Sequence, residues 1–250
     1  MEQDIIIRRL YDLAKKAYNS SCFTFSDFLS ASQLSDFYGI ENDNIFKGYK
    51  IFGGYDNAER VMIRFGNEEE LGYSVEFPID VIRVEPLLKK FSDEFSHRDY
   101  LGALMNLGIT RETLGDIILN DKTAYVIVNS KMSDFILDNL NKVKHTSVKA
   151  IISRESDINN TISFEEKNII ASSCRIDGVM SKVLNISRET SLNLFRNKKV
   201  FLNGRLYENN SYQLKAGDII SVRGYGKFIF ECINKITKSG KFNIKINIYS

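Results

Sequence analysis

The chain holds only two prolines, three cysteines and two histidines in 250 residues, and each scarcity closes off a class of protein. Two prolines leave little room for stiff disordered linkers, and a composition of 43% hydrophobic and 26% charged residues is that of a chain folded throughout. Cys22, Cys174 and Cys232 lie too far apart for a disulfide framework or a C-x-x-C metal site, which suits a reducing compartment. His97 and His145 stand near no cysteine cluster and in no H-E-x-x-H helix, so metal hydrolysis has no ligand set. No stretch approaches the roughly 20 apolar residues of a membrane helix. The amino terminus, MEQDIIIRRLYDLAKKAYNS, lacks the apolar core of a signal peptide. A cytoplasmic protein with no metal, no cofactor and no membrane partner is expected, a monomer when free. No internal repeat or low-complexity tract is visible.

What is there is charge unevenly placed. The net charge of +2 conceals a carboxy-terminal segment, from Arg175 onward, with 14 Lys/Arg against 5 Asp/Glu. The remainder carries 20 Lys/Arg against 27 Asp/Glu. A basic segment behind an acidic one points to a polyanionic partner, because phosphate attraction is the largest sequence-independent term in nucleic-acid binding. Lipid is the competing polyanion, but the tail alternates as strands do and is no amphipathic helix.

The hydrophobic pattern predicts an α+β protein in three parts, at 1–77, 78–171 and 172–250. In the first, Ile6, Leu10, Leu13, Ala14 and Ala17 mark an amphipathic helix. Ser26 is the expected N-cap of a second helix over DFLSASQLSDFYG, with Gly39 as its stop. YKIFGG, ERVMIRFG and YSVEFPI are expected as short strands, with Gly53-Gly54 a turn too short for a phosphate loop. The second part reads VIRVEP, HRDYLGALMNLG, GDIIL, AYVIVN, MSDFILDNLNKV and SVKAIIS, the βαββαβ order of a ferredoxin-like or RRM-like sheet. SRESDINNTISFEEKNIIAS carries the chain onward as a further strand and connector. The third part predicts helices at 176–184 and 188–196, the second capped by Ser187, then a small β-sheet. Its hairpins turn at Asn203-Gly204 and at Ser239-Gly240, and Lys215-Ala216-Gly217-Asp218 leads into IISVRG.

Two short helices opening on Arg175 and on Ser187-Arg188 make a basic face of fixed shape, since amide groups at a helix start already favour anions. Arg196, Lys198 and Lys199 extend it at the far end of the second helix, and Arg223 and Lys227 flank the Gly224-Tyr225-Gly226 turn. Asp177 is expected to pair or cap structurally. Tyr225 and Phe228 are either base-stacking rings or core.

RIDGVMS, ISRETSLNLFRNKKVFLNG and LKAGDIISV together resemble the RNA-binding fold named for a small-subunit ribosomal protein of the S-four type. That resemblance implies that the two-helix face grips structured RNA, with Arg175, Ser187, Arg188, Lys198, Lys199 and Asn203 in contact. Gly178, Val179 and Phe201 depart from its usual residues. With YKIFGGYDNAERVMIRFG, SHRDYLGALMNLGITRETLGDII and VRGYGKF, most of the chain is similar to the YlmH family. The family implies association with the large ribosomal subunit carrying stalled peptidyl-tRNA, contact with its ribosomal RNA and tRNA, and a noncatalytic role in ribosome-associated quality control.

Catalytic alternatives find less. His97-Arg98-Asp99 matches three letters of a kinase catalytic loop without its downstream Asn or a Gly-rich loop with a paired Lys. Arg98 and Asp99 suit helix capping and surface contacts, and with Arg111 they suggest a second interaction face. Lys131-Met132-Ser133 is similar to half of a tyrosyl-tRNA synthetase loop, with Asp134 where Lys should follow. An RNA-modifying enzyme of pseudouridine-synthase type, with an active site in the first 170 residues, is the alternative reading. No nucleophile stands at readable spacing from a base.

Overall fold

The computed structural model describes residues 2–159, 164–238 and 240–249. It is α+β and divides into two units, Met1–Thr161 and Ile162–Ser250.

Unit 1 opens with α1 (Glu2–Ser20), β1 (Thr24–Phe25), α2 (Ala31–Tyr38), β2 (Lys50–Phe52), β3 (Met62–Phe65) and α3 (Glu68–Leu71). The helical spacing of Leu10, Ala14 and Ala17 turns one face of α1 onto a core with Phe37, Phe46, Ile63 and Phe65. The sheet runs β1-β3-β2. Helix α2 starts later than expected, because Ser30 and not Ser26 is its N-cap: Ser30 and Gln33 close a reciprocal capping box. Ser26 is held in extended chain, where its hydroxyl accepts the Ile63 amide at 2.8 Å. YSVEFPI is also not a strand. Buried Arg64 donates to the Val75 carbonyl at 2.7 Å and lies over the Phe77 ring, which ties that segment down without a ladder.

The unit continues with β4 (Ile79–Pro86), α4 (His97–Asn106), β5 (Leu114–Asn120), β6 (Thr123–Asn129), α5 (Ser133–Asn139), β7 (Lys142–Val143), β8 (Thr146–Ser153) and α6 (Glu155–Asn159). The order β5-β6-β4-β8-β7 contains the split βαβ arrangement, every pair antiparallel. Ile82, Val84, Ala124, Val126 and Val128 face α4 and α5 in one core. The second helix is shorter than expected: it ends at Asn139, and Lys142–Val143 turns back as β7 against β8. Ser133, within the synthetase-like triplet, is buried and donates to Asp80 at 2.6 Å. Asp99 completes a capping box with Ser96 and pairs with Lys144 at 2.8 Å.

The first sheet is bound to the second through polar contacts. Asp116 accepts from the amides of Glu59 and Arg60 and from the Tyr55 hydroxyl, at 2.7, 3.1 and 2.9 Å. The Arg60 guanidinium donates to the carbonyls of Leu114, Phe28 and Arg111. Burial, and then the charge of Arg111, lower Arg60 to about 10, which leaves it charged at neutral pH. Arg111 donates to the Gly115 carbonyl at 3.0 Å while its own carbonyl accepts from Arg60, so it lies at this junction. Gly54 sits at φ +91° with an imagined Cβ 2.9 Å from Ile127, so only glycine fits there.

Unit 2 comprises β9 (Phe164–Ala171), α7 (Ile176–Val183), α8 (Arg188–Arg196), β10 (Val200–Leu202), β11 (Arg205–Leu206), β12 (Asp218–Val222), β13 (Gly226–Ile236) and β14 (Phe242–Tyr249). They form one antiparallel sheet, β11-β10-β12-β13-β14-β9. Phe164–Ala171 lies before the boundary expected near Ser172, yet it pairs with β14 along its whole length. Ile176, Val179, Met180 and Val183 project from α7 onto Val200, Ile220, Phe228 and Ile246 in a single core. That spacing keeps α7 helical despite Gly178, around which a Cβ would meet open space. Asn203 and Gly204 both have positive φ, as the hairpin turn requires. Of the turn expected at Ser239-Gly240, Ser239 lies outside the described residues.

Removing the acceptor at the inter-sheet junction, Asp116→Ala, is expected to cost about 2 kcal/mol by stranding two amides. A urea unfolding midpoint checks this, and Asp116→Asn should recover part of the loss.

Candidate nucleic-acid interface

Arg175 is the N-cap of α7, held where the Ile176 amide meets the Tyr212 carbonyl at 2.9 Å and the Leu214 amide meets Cys174 at 2.9 Å. Two residues on, Asp177 is fully buried. The Arg175 fork grips it with Nε and one Nη, each 3.1 Å from a different carboxylate oxygen. Arg188, the first residue of α8, reaches the same carboxylate through Nε and Nη2 at 3.4 and 3.2 Å. Ser191, buried one turn later, donates to the Asp177 carbonyl at 2.9 Å. One aspartate therefore fixes the starts of both helices and the rotamers of two arginines.

The Arg188 side chain remains 64% exposed and that of Arg175 34%. Each guanidinium has five donors and spends two on Asp177. Two cations against one anion leave the cluster positive. Ser187 adds geometry: its hydroxyl accepts the Thr190 amide at 3.0 Å and caps α8.

The other expected residues separate into groups. Arg196, Lys198, Lys199 and Arg223 are exposed at the far end of α8, about 12 Å from Arg188 along a nine-residue helix. The Arg223 amide donates to the Lys199 carbonyl at 2.9 Å, which joins the sheet end to the helix end. Lys198, at φ +54°, ends the helix in a left-handed turn. Tyr225 is 46% exposed between Gly224 and Gly226, whereas Phe228 is core. Asn203 spends its amide on Asp218 and on the Ile219 amide, both at 2.9 Å, so its evident task is the turn. Lys227 precedes core residue Phe228 in β13, so it projects from the sheet face opposite the helices and sits over the Tyr249 ring at 4.6 Å. A contribution missed in the sequence is Lys167 of β9, which donates to the Val183 carbonyl at 3.2 Å and caps the end of α7.

Burial alone would oppose ionisation of Asp177, but the hydrogen bonds from Arg175 and Arg188, with their charges, outweigh it and hold the carboxyl below its usual range. A lowered folded pKa gives stability that is present above the unfolded value of about 3.9 and lost as pH falls below it. Asp177→Asn should therefore cost about 1 to 3 kcal/mol near neutral pH. Urea unfolding at stepped pH should show the gap from wild type closing below about pH 4.

No helix among the described residues is long and apolar enough to cross a membrane. Residues 74–156 match the family described as "Putative RNA-binding domain in YlmH". Among curated proteins, the chain is 30% identical over 201 residues to the ribosome-associated protein quality control protein P2 of Bacillus subtilis (strain 168), covering 79% of this chain and 76% of that one. Among solved structures it resembles the cell division protein ylmH from Streptococcus pneumoniae with a TM-score of 0.51 at 17% identity, covering 63% of this chain and 94% of the other. Identity of 30% sustained over 76% of a relative's length is what shared descent leaves behind, and the chain belongs to the YlmH family.

Proposed function

We propose that this protein is a noncatalytic RNA-binding factor of the large ribosomal subunit, which holds ribosomal RNA and peptidyl-tRNA during quality control of stalled nascent chains. The carrying observation is the pair of guanidinium groups, Arg175 and Arg188, oriented by one buried carboxylate at the openings of two helices. Planar donor forks held in a fixed rotamer suit phosphate oxygens, and little side-chain entropy remains to be lost on contact. The second cationic group, Arg196, Lys198, Lys199 and Arg223, gives the same unit a further foothold about 12 Å away. That spacing spans several phosphates of a folded RNA, so shape and backbone would carry recognition more than base edges. The Bacillus relative, named as a ribosome-associated protein quality control protein, agrees with this reading.

Binding should weaken steeply with salt. Arg175→Ala with Arg188→Ala should reduce co-sedimentation with large subunits and lower the slope of log K against log salt by about 2. Unchanged binding would place the interface elsewhere. Asp177→Asn gives a sharper test of the geometry. It adds one unit of positive charge, so simple attraction predicts tighter binding; loss of the oriented pair predicts weaker binding, and weaker is the expected result.

A further inference from the structure

The central sheet of unit 1 has two faces, and the one opposite its helices is closed over Val81, Tyr125 and Ile127. Tyr125 and Ile127 of β6 and Val81 of β4 alternate with the core residues that face α4 and α5, so they point to that other side. There they are buried all the same, Tyr125 at 9% exposure, Ile127 at 0% and Val81 at 6%. Gly54 lies against Ile127 and Ile79, and Gly115 against Ile127 and Phe28, so the first sheet's loops cover one end of this face. In the same row across the sheet, where Val81 pairs with both Ile127 and Ser153, Ser153 donates to Asp157 of α6 at 2.7 Å, and Ile158 of that helix is fully buried. A sheet that binds single-stranded RNA in the usual way needs that face open for bases to stack on.

The helix side is open instead. Arg98, Gly102 and Asn106 lie four residues apart along α4 and line a cleft of about 470 Å³. Asn141, Lys142 and Lys144 line its opposite wall. Asp99, the acidic residue of the cleft, is neutralised by Lys144 at 2.8 Å, which leaves Arg98 and Lys142 as surplus cations at its margins. Gly102 costs the helix about 1 kcal/mol relative to alanine. Packing does not require it, since nothing lies within 4 Å of a Cβ placed there. Its effect is to keep the middle of the cleft empty.

We propose that the central region of this chain takes single-stranded RNA into the helix-side cleft, and not across its sheet. Arg98 and Lys142 would hold phosphates, and the amides of Asn106 and Asn141 offer both donor and acceptor to base edges. This mixture fits RNA better than an acidic peptide, which calls for cations alone. The inference rests on the reading of the protein as an RNA-binding factor.

The test uses the full chain, titrated into a short fluorescein-labelled single-stranded RNA of random sequence at several salt concentrations. Arg98→Glu with Lys142→Glu should weaken binding and lower the salt slope by about 1.4, for two contacts to a single strand. Gly102→Phe, which fills the cleft without changing charge, should weaken binding while circular dichroism stays that of the wild type. Lys149→Glu, on the sheet face, should leave both slope and affinity nearly unchanged. Arg175→Ala with Arg188→Ala runs in parallel. Normal binding by the cleft variants beside a loss in that pair overturns the cleft and spares the proposed function; the reverse outcome overturns the carboxy-terminal face and spares the cleft. A loss in Lys149→Glu equal to that in the cleft variants would return RNA to the sheet and also overturn the proposal.

Discussion

A single buried carboxylate organises the carboxy-terminal unit. Asp177 sits in the first turn of α7, where amide dipoles favour a negative charge, but its full burial would still be costly without partners. Arg175 and Arg188 meet that cost from two different helices, and in doing so lose the freedom that long side chains have at a surface. Folding and surface geometry are coupled at this point: the contacts that let the aspartate be buried also hold two partly exposed cations in place. Ser191 ties α8 to the Asp177 carbonyl and Ser187 caps α8 from within, so sliding α8 along α7 would break the cluster.

The amino-terminal unit is built on a different economy. Its two sheets share no continuous ladder; Arg60 and Asp116 link them through carbonyls and amides that would otherwise need water. The glycine at 54 lets the loop approach Ile127 closely enough to close the sheet face. Val81, Tyr125 and Ile127 are thereby withdrawn from solvent, whereas the cleft beside α4 is open.

Much of this was legible in the sequence, and the failures have physical causes. Helices expected at 176–184 and 188–196 occupy 176–183 and 188–196, since apolar spacing and a serine cap agree there. For α2 a nearer serine misled, although Gln33 stands three residues after Ser30 and Leu29 three after Ser26, so only the later serine can complete a box. YSVEFPI alternates as a strand does, but a buried arginine tertiary contact overrides the pattern. β9 falls in the strand and connector expected before Ser172, because its partner, β14, lies far downstream and nothing local announces the pairing. At the site, Arg175 and Arg188 were readable from the Arg-x-Asp and Ser-Arg openings. The placement of Lys227 on the opposite face was also encoded, in its adjacency to core residue Phe228, a period-two signal that a charge count ignores.

The account turns on what the two arginines touch, and a cryo-EM map of the full chain bound to large ribosomal subunits would see it directly. It predicts RNA phosphate density within hydrogen-bonding distance of both Arg175 and Arg188, with both still seated on Asp177. A map with this corner facing solvent, or with the arginines released from the aspartate to reach RNA, would contradict it.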